Sequence, residues 1–130
     1  MILLDTHVAI WLVASPRRLS QRARLAIHAA RQSGDTIACS AASLFEIVYV
    51  TRQNRIPLVA PQEDFIAAVR RTFDWAPLTA EIAVHAAELT DPFHGDPLDR
   101  MIAATAIAEN CTLITADEKI LNSGVCKTLW

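Results

Sequence analysis

The chain has 130 residues, a formal net charge of −2 and 52% hydrophobic residues, a balance that excludes a disordered chain and is typical of one globular domain. Its 3 cysteines form no CxxC or Cys/His cluster, which argues against a disulfide framework, and its apolar stretches are too short to cross a bilayer. We therefore expect a single domain over residues 1–130 that is cytoplasmic and has no membrane contact.

Strand-like and helical patterns alternate from the first residues onward. The first half of the chain predicts, in order, a strand at 2–4, a helix at 6–13, a helix at 20–34, a strand at 36–39 and a helix at 40–53. Ser20 is the expected N-cap of the second helix and Gly34 its C-terminal stop. The element at 40–53 contains β-branched residues, but the helical spacing of its apolar residues and the cap at Ser40 favour a helix.

The second half continues the alternation. It predicts a helix at 61–75 with Pro61 as its first residue, a brief strand within 76–79, a helix capped by Thr79, a helix at 96–110, a strand at 112–115, a short helix at 116–121 and a strand at 127–130. Because helical crossovers usually join parallel strands, the sheet should be mostly parallel. The predicted fold class is α/β, with a small central β-sheet flanked by helices.

Acidic residues recur at the connections between the carboxyl ends of strands and the helices that follow them, which is where open α/β sheets form their functional crevice. Asp5 directly follows the first strand, and Asp117 follows the strand TLIT with one residue between them. Glu46 lies about two turns into the helix after the second strand, while Asp96 and Asp99 lie in the first turn of the alanine-rich helix. All five should face the same edge of the sheet.

Each acid also has a structural explanation. Asp5, Asp96 and Asp117 are compatible with ordinary helix N-caps, and Asp99 with a residue that complements the helix dipole. Glu46 is harder to explain in this way, because it interrupts an apolar run where a carboxylate without a partner is costly to bury. Together, such carboxylates would repel one another unless a divalent cation neutralised them, and oxygen-only ligation favours Mg²⁺ or Mn²⁺.

Three segments carry a family resemblance. The run LLDTHVAIWL, the glutamate in SLFEI and the stretch HGDPLDRMIAATAIAENCTLITAD together resemble a PIN-domain ribonuclease of the VapC toxin type, over essentially the whole chain. The resemblance implies a PIN-like three-layer sandwich and an endoribonuclease that hydrolyses RNA phosphodiester bonds with metal-activated water. It further implies Mg²⁺ as the cofactor, with Mn²⁺ as a substitute, a homodimeric toxin and a cognate VapB-like antitoxin.

The same resemblance assigns roles to the acids. Asp5, Glu46, Asp99 and Asp117 match the catalytic and metal-binding quartet of the family, with Asp5 and Asp99 as the principal Mg²⁺ ligands. Asp96 is expected to be an accessory acid or the helix cap. Whether one or two metal ions bind is left open by the sequence, as are the RNA target and the identity of the antitoxin.

Other polar and aromatic residues near the acids have weaker signals. Thr115 and Ser43 are predicted to orient a ligand or a water around the metal. His7 and His94 flank the predicted site, where a contact to phosphate and a purely structural role are both open. Trp11 is interpreted as a core or interface residue, with stacking on a base as the alternative if it is exposed.

Arginines dominate the cationic residues, a bias expected of a GC-rich genome or of phosphate recognition. Two clusters, which either contact an RNA backbone or form solvated helix faces, contain Arg17, Arg18, Arg22, Arg24, Arg70 and Arg71. The alternative functions are a non-catalytic Mg²⁺-binding protein and a phospho-receiver-like signalling module. The receiver fits poorly, because the second strand ends in no aspartate and Lys119 follows Asp117 within a predicted helix.

Overall fold

The computed structural model describes residues 1–90, 93 and 95–130. Five strands in this part of the chain form one sheet: β1 (Ile2–Leu4), β2 (Ile37–Ser40), β3 (Asp74–Ala76), β4 (Thr112–Ile114) and β5 (Thr128–Leu129). Their spatial order is β3-β2-β1-β4-β5, and every neighbouring pair is parallel. The predicted α/β class is therefore confirmed, with a sheet that is wholly parallel among these strands.

Helices connect the strands much as the sequence predicts. Their bounds are α1 (Thr6–Ala14), α2 (Gln21–Ser33), α3 (Ala41–Arg52), α4 (Gln62–Thr72), α5 (Ala80–Glu88), α6 (Pro97–Ala108) and α7 (Glu118–Ser123). The side chains of Ser20, Ser40 and Thr79 accept hydrogen bonds from the first turns of α2, α3 and α5, which confirms these three predicted caps. A short 3₁₀ helix (Pro16–Arg18), which we did not predict, lies between α1 and α2.

The largest local error concerns the end of α4. The sequence predicts a helix from Pro61 to Trp75, whereas Pro61 is the N-cap and the helix ends at Thr72. Phe73 is extended, with φ −121° and ψ 151°, and the next three residues pair with β2 as strand β3. The predicted strand within 76–79 therefore starts too late, because pairing with a neighbouring strand overrides the helical periodicity of this segment.

The sheet separates two apolar cores. Side chains alternate along a strand, so neighbouring residues of each central strand point to opposite faces. One core contains Leu4, Cys39 and Ile114, covered by α1, α2, α4 and part of α3. The other contains Leu3, Ala38 and Leu113, covered chiefly by α6 and α7. This arrangement is the expected three-layer sandwich, and α5 packs on the outside of α6.

The order of the strands also locates the crevice. From β1 the chain builds the sheet outward through β2 and β3, and it then returns to place β4 on the other side of β1. Ligands of open α/β sheets bind at such a reversal, outside the carboxyl ends of the strands. Asp5 follows β1 and Asp117 lies just beyond β4, so both acids flank the reversal. Among the described residues, no helix is both long enough and apolar enough to span a membrane.

Candidate active site

All five predicted acids line one open cleft at the carboxyl edge of the sheet, with a volume of about 570 Å³. Its lining consists of Asp5, Glu46, Asp96, Asp99, Asp117, His7, Gly95 and Lys119. The expectation that these acids face the same edge is therefore confirmed. His94 lies outside the described residues, so its predicted contact with the site stays a prediction.

Asp5 is the most deeply buried acid, with 4% of its surface exposed. It is the N-cap of α1, and its Oδ1 accepts a 2.7 Å hydrogen bond from the backbone N–H of Thr6. Its Oδ2 accepts a 2.7 Å hydrogen bond from the hydroxyl of Thr115. Burial raises the pKa of Asp5, whereas the hydrogen bonds from Thr115 and Thr6 oppose that rise. Asp5 is thus both a cap and a fixed carboxylate that faces the cleft.

Glu46 is held by a residue that our sequence analysis did not single out. The Thr6 hydroxyl donates a 2.5 Å hydrogen bond to Oε2 of Glu46, while the Thr6 backbone N–H bonds Asp5. One buried threonine therefore orients two acids that are 41 residues apart in sequence numbering, from position 5 to position 46. The only sequence signal for Thr6 is its position directly after Asp5, because the residue that follows an N-cap is the first residue of the helix.

Asp96 and Asp117 have the capping roles that the sequence left open. Oδ1 of Asp96 accepts hydrogen bonds from the backbone N–H groups of Leu98 and Asp99, at 2.9 and 3.3 Å. Oδ1 of Asp117 accepts them from Lys119 and Ile120, at 2.7 and 3.2 Å. Capping does not exclude ligation, because a carboxylate has two oxygens and several acceptor sites.

Asp99 is not a cap, and its environment is unfavourable for a negative charge. It is half-buried in the first turn of α6. Burial raises its pKa to about 7, and the charges of Asp5, Asp96, Asp117 and Glu46 contribute in that order. A half-buried carboxyl group that interacts with four other negative charges therefore binds a proton more readily near neutral pH unless positive charge is supplied.

The donor set of the cleft fits a hard divalent cation. Carboxylate oxygens from several elements face one space, and such oxygens are the preferred ligands of Mg²⁺ and Mn²⁺. Within the described ranges, however, no three acidic, histidine or cysteine side chains are already grouped to hold a metal ion. The chemistry of the donors therefore fits a divalent cation.

The two predicted accessory hydroxyls differ in their surroundings. Thr115 is fully buried, donates to Asp5 and accepts a 3.0 Å hydrogen bond from the backbone N–H of Asp117. It therefore ties the two acids at the reversal point to each other. Ser43 is also buried, but its hydroxyl has no hydrogen-bond partner among the described residues and it does not line the cleft. The structure thus brings Thr115, and not Ser43, into contact with the acids.

Comparisons with known proteins agree with this architecture. The PIN domain family model matches residues 2–123. The chain is 38% identical to Ribonuclease VapC22 of Mycobacterium tuberculosis over 119 residues, which cover 92% of this chain and 88% of that protein.

Solved structures give the same fold. The VapBC2 structure from Rickettsia felis, bound to a DNA fragment from its promoter, matches with a TM-score of 0.75 and 19% identity, covering 99% of this chain and 98% of the other. The DNA-bound VapBC structure from Salmonella typhimurium matches with a TM-score of 0.71 and 16% identity, covering 98% and 96%. The family model spans nearly all of the chain, and with the close relative it establishes that this chain belongs to the PIN-domain family.

Proposed function

We propose that this chain is a metal-dependent endoribonuclease that hydrolyses RNA phosphodiester bonds and acts as the toxin of a VapBC-type toxin–antitoxin pair. The observation that carries the proposal is the sharing of one cleft by five carboxylates at the reversal point of the sheet. The 38% identity to Ribonuclease VapC22 supports the choice of RNA as substrate. A purely structural role would not explain why so many acids face one open space, since mutual repulsion is unfavourable.

We assign the cation site to Asp5, Glu46, Asp99 and Asp117, with Asp96 as an accessory acid, and we propose Mg²⁺ as the ion and Mn²⁺ as its substitute. A bound divalent cation lowers the pKa of water and stabilises charge on a phosphate ester. The chain itself contributes orientation. Thr115 and Thr6 hold the carboxylates of Asp5 and Glu46 in place through hydroxyl hydrogen bonds.

The partners are proposed on the same basis. Several structural neighbours are VapBC structures, so we propose a VapB-like antitoxin as the partner of this chain and a homodimer as the form of the toxin. We also propose that residues 1–130 form a single domain. A cytoplasmic location fits both an RNA substrate and the three cysteines that are all free thiols.

The test is an RNA cleavage assay on the purified chain. We expect cleavage of RNA with Mg²⁺ or Mn²⁺ and none with EDTA. Asp5→Asn and Asp99→Asn should each lower the rate on the order of 100-fold or more, the scale typical of losing one preorganised electrostatic contact. Glu118→Gln is the matched control, because Glu118 is an exposed acid beside Asp117 that does not line the cleft.

Full activity in Asp5→Asn or Asp99→Asn would contradict the proposed site. The partner is tested separately, by co-expression with the product of any small open reading frame that lies beside the gene for this chain. We expect the two to co-purify and the complex to cleave RNA more slowly than the isolated chain. A neighbouring protein that neither binds nor inhibits would contradict the toxin–antitoxin part and leave the ribonuclease part intact.

A further inference from the structure

A second pocket, of about 160 Å³, adjoins the acidic cleft. The aliphatic side chains of Ile10, Val50 and Ile56 line it together with Arg18 and Arg55. Both arginines are exposed, whereas the three aliphatic residues are buried or half-buried. The pocket thus combines an apolar lining with two guanidinium groups, the mixture of apolar surface and few polar groups that is typical of binding sites.

This pocket, which we call the arginine pocket, is contiguous with the cleft across α1. His7 lines both the arginine pocket and the acidic cleft. A shallow depression of about 160 Å³ lies between them and is lined by His7 and Trp11 together with Asp5 and Asp117. His7 and Trp11 are four residues apart and so lie on the same face of the helix. A chain-like ligand can therefore contact the acids and the arginines at once.

The Arg18 guanidinium is held in place by an aromatic ring. Its Cζ lies 4.5 Å from the centroid of the Trp11 ring, and Trp11 in turn packs against Trp130 with a centroid distance of 5.7 Å. A cation–π contact uses the face of the guanidinium and leaves its N–H groups available in the plane. Trp11 is thus a positioning residue for Arg18.

Neither arginine is neutralised by a neighbour in the described part of the chain. No ion pair or side-chain hydrogen bond of Arg18 or Arg55 occurs there, whereas Arg52 is paired with Glu63 at 2.6 Å and also bonds Gln62. The guanidinium groups of Arg18 and Arg55 in the arginine pocket therefore keep their donors for a ligand. Guanidinium groups bind phosphate oxygens through such parallel N–H donors.

We propose that the arginine pocket binds a backbone phosphate of the single-stranded RNA next to the nucleotide whose bond is cleaved, with Arg18 and Arg55 as its ligands. The proposal rests on the ribonuclease function above, because an acidic cleft repels a phosphodiester chain unless cations beside it attract the flanking phosphates. The pocket is smaller than the roughly 300–1,000 Å³ of small-molecule sites. It therefore suits one phosphate and its ribose within a polymer.

Binding is measured by fluorescence anisotropy of a labelled, mixed-sequence RNA 12-mer in EDTA, over a range of salt concentrations. For Arg18→Gln/Arg55→Gln we expect affinity to fall about tenfold, and the slope of log K against log salt to become shallower by roughly 0.7, the value for the loss of one phosphate contact. The control Arg24→Gln/Arg71→Gln removes two exposed charges that do not line the pocket, and its affinity should change less than about twofold. Arg18→Lys should retain the slope because it retains the charge.

The outcomes separate this inference from the ribonuclease proposal. Wild-type cleavage with Mg²⁺, together with unchanged RNA affinity and slope in Arg18→Gln/Arg55→Gln, overturns the inference alone. Equal losses in both double variants indicate a general cationic surface and overturn it as well. If Arg18→Gln/Arg55→Gln binds RNA as tightly as the wild type but no longer co-purifies with the protein partner, the pocket is a protein-docking site and the proposal is wrong. If the wild type neither binds nor cleaves RNA, the ribonuclease proposal is wrong, and this inference is wrong with it.

Discussion

Thr6 carries more of the site's geometry than its position in the sequence suggests. Its backbone N–H donates a hydrogen bond to the N-cap Asp5 and its hydroxyl donates one to Glu46, so one residue with 1% of its surface exposed couples two acids. Thr115 repeats the arrangement on the other side, where it donates to Asp5 and accepts from the backbone of Asp117. Buried hydroxyls of this kind orient metal-binding carboxylates through fixed hydrogen bonds.

Replacing Thr6 tests this arrangement. Thr6→Val removes the hydroxyl but keeps the shape and the backbone N–H to Asp5, so the carboxylate of Glu46 loses its donor. We expect an affinity for Mn²⁺ and an RNA cleavage rate that are each about 10-fold lower. Thr6→Ser, which retains the hydroxyl, should stay close to the wild type. Mn²⁺ titration by calorimetry and single-turnover cleavage measure the two effects, and equal behaviour of Val and Ser variants would contradict the role.

The charge on Asp99 should limit the stability of the metal-free protein. Its pKa is raised from 3.8 to about 7 in the fold, so the folded state binds a proton more readily than the unfolded state between these values. The contribution of this carboxyl is favourable at low pH and is lost as the pH rises through about 7. In EDTA, wild-type Tm should therefore fall between about pH 5 and about pH 8 more steeply than the Tm of Asp99→Asn.

Thermal unfolding followed by circular dichroism at both pH values makes the comparison, with Glu118→Gln as an exposed acidic control. At the higher pH, Asp99→Asn should be as stable as the wild type or more so. A large drop in the Tm of Asp99→Asn at that pH would show that the ionised carboxylate stabilises its helix. That result would contradict a site dominated by charge repulsion.

At the scale of elements, helix ends are governed by local chemistry and strand ends by pairing. Gly34 ends α2 with φ +71°, and its N–H reaches back to carbonyl groups of the last turn. Ser20 begins the same helix with a side-chain bond to Ala23. By contrast, β3 exists because Ala38, Cys39 and Ser40 are available as partners, with Ser40 opposite Ala76. Local residue types therefore mark helix ends better than they mark short strands.

Gly34 offers a direct test at this scale. A Cβ at this position meets no atom within 4 Å, so Gly34→Ala introduces backbone strain without a clash. Because the left-handed conformation costs a residue with a Cβ about 1–2 kcal/mol, we expect the free energy of unfolding to fall by about that amount. Gly95→Ala is the control, since it too has open space but no positive φ. Urea unfolding compares them, and equal stability of the two variants would contradict the strain argument.

At the scale of the molecule, the sheet acts as a partition between two cores. Ile27 of α2 belongs to the core on one face, and Ile102 of α6 belongs to the core on the other. Both are almost fully buried, at 3% and 0% exposure. The acidic cleft opens where the edge of this partition meets the helix starts, so the stability of both cores supports the position of the acids.

Separate cores predict additive losses. Ile27→Ala and Ile102→Ala should each lower the free energy of unfolding by about 2–5 kcal/mol, because each leaves a cavity in a packed interior. Since the two residues share no cluster, the double variant should lose the sum of the two within about 0.5 kcal/mol. Chemical denaturation of the three variants measures this. A loss that differs from the sum by more than about 1 kcal/mol would show that the two faces are coupled.

The sequence alone determined the alternation of strands and helices, the caps at Ser20, Ser40 and Thr79, and the acids Asp5, Glu46, Asp96, Asp99 and Asp117 that share the cleft. These features are local or periodic, so composition, spacing and family resemblance express them directly. Whether Asp5, Glu46, Asp99 and Asp117 are catalytic, and whether Ser43 contributes, remain predictions.

Only the tertiary structure decided the ends of β3, the link from Thr6 to Glu46 and the union of Arg18, Arg55 and Trp11 in one pocket beside the acids. Each depends on residues that are distant in the chain and become neighbours only when the helices pack on the sheet. Residue types and periodicity describe what a segment tends to form, whereas contact between segments is set by packing and strand pairing. For the same reason the raised pKa of Asp99 follows from the fold, since its burial and its proximity to Asp5, Asp117 and Glu46 arise only there.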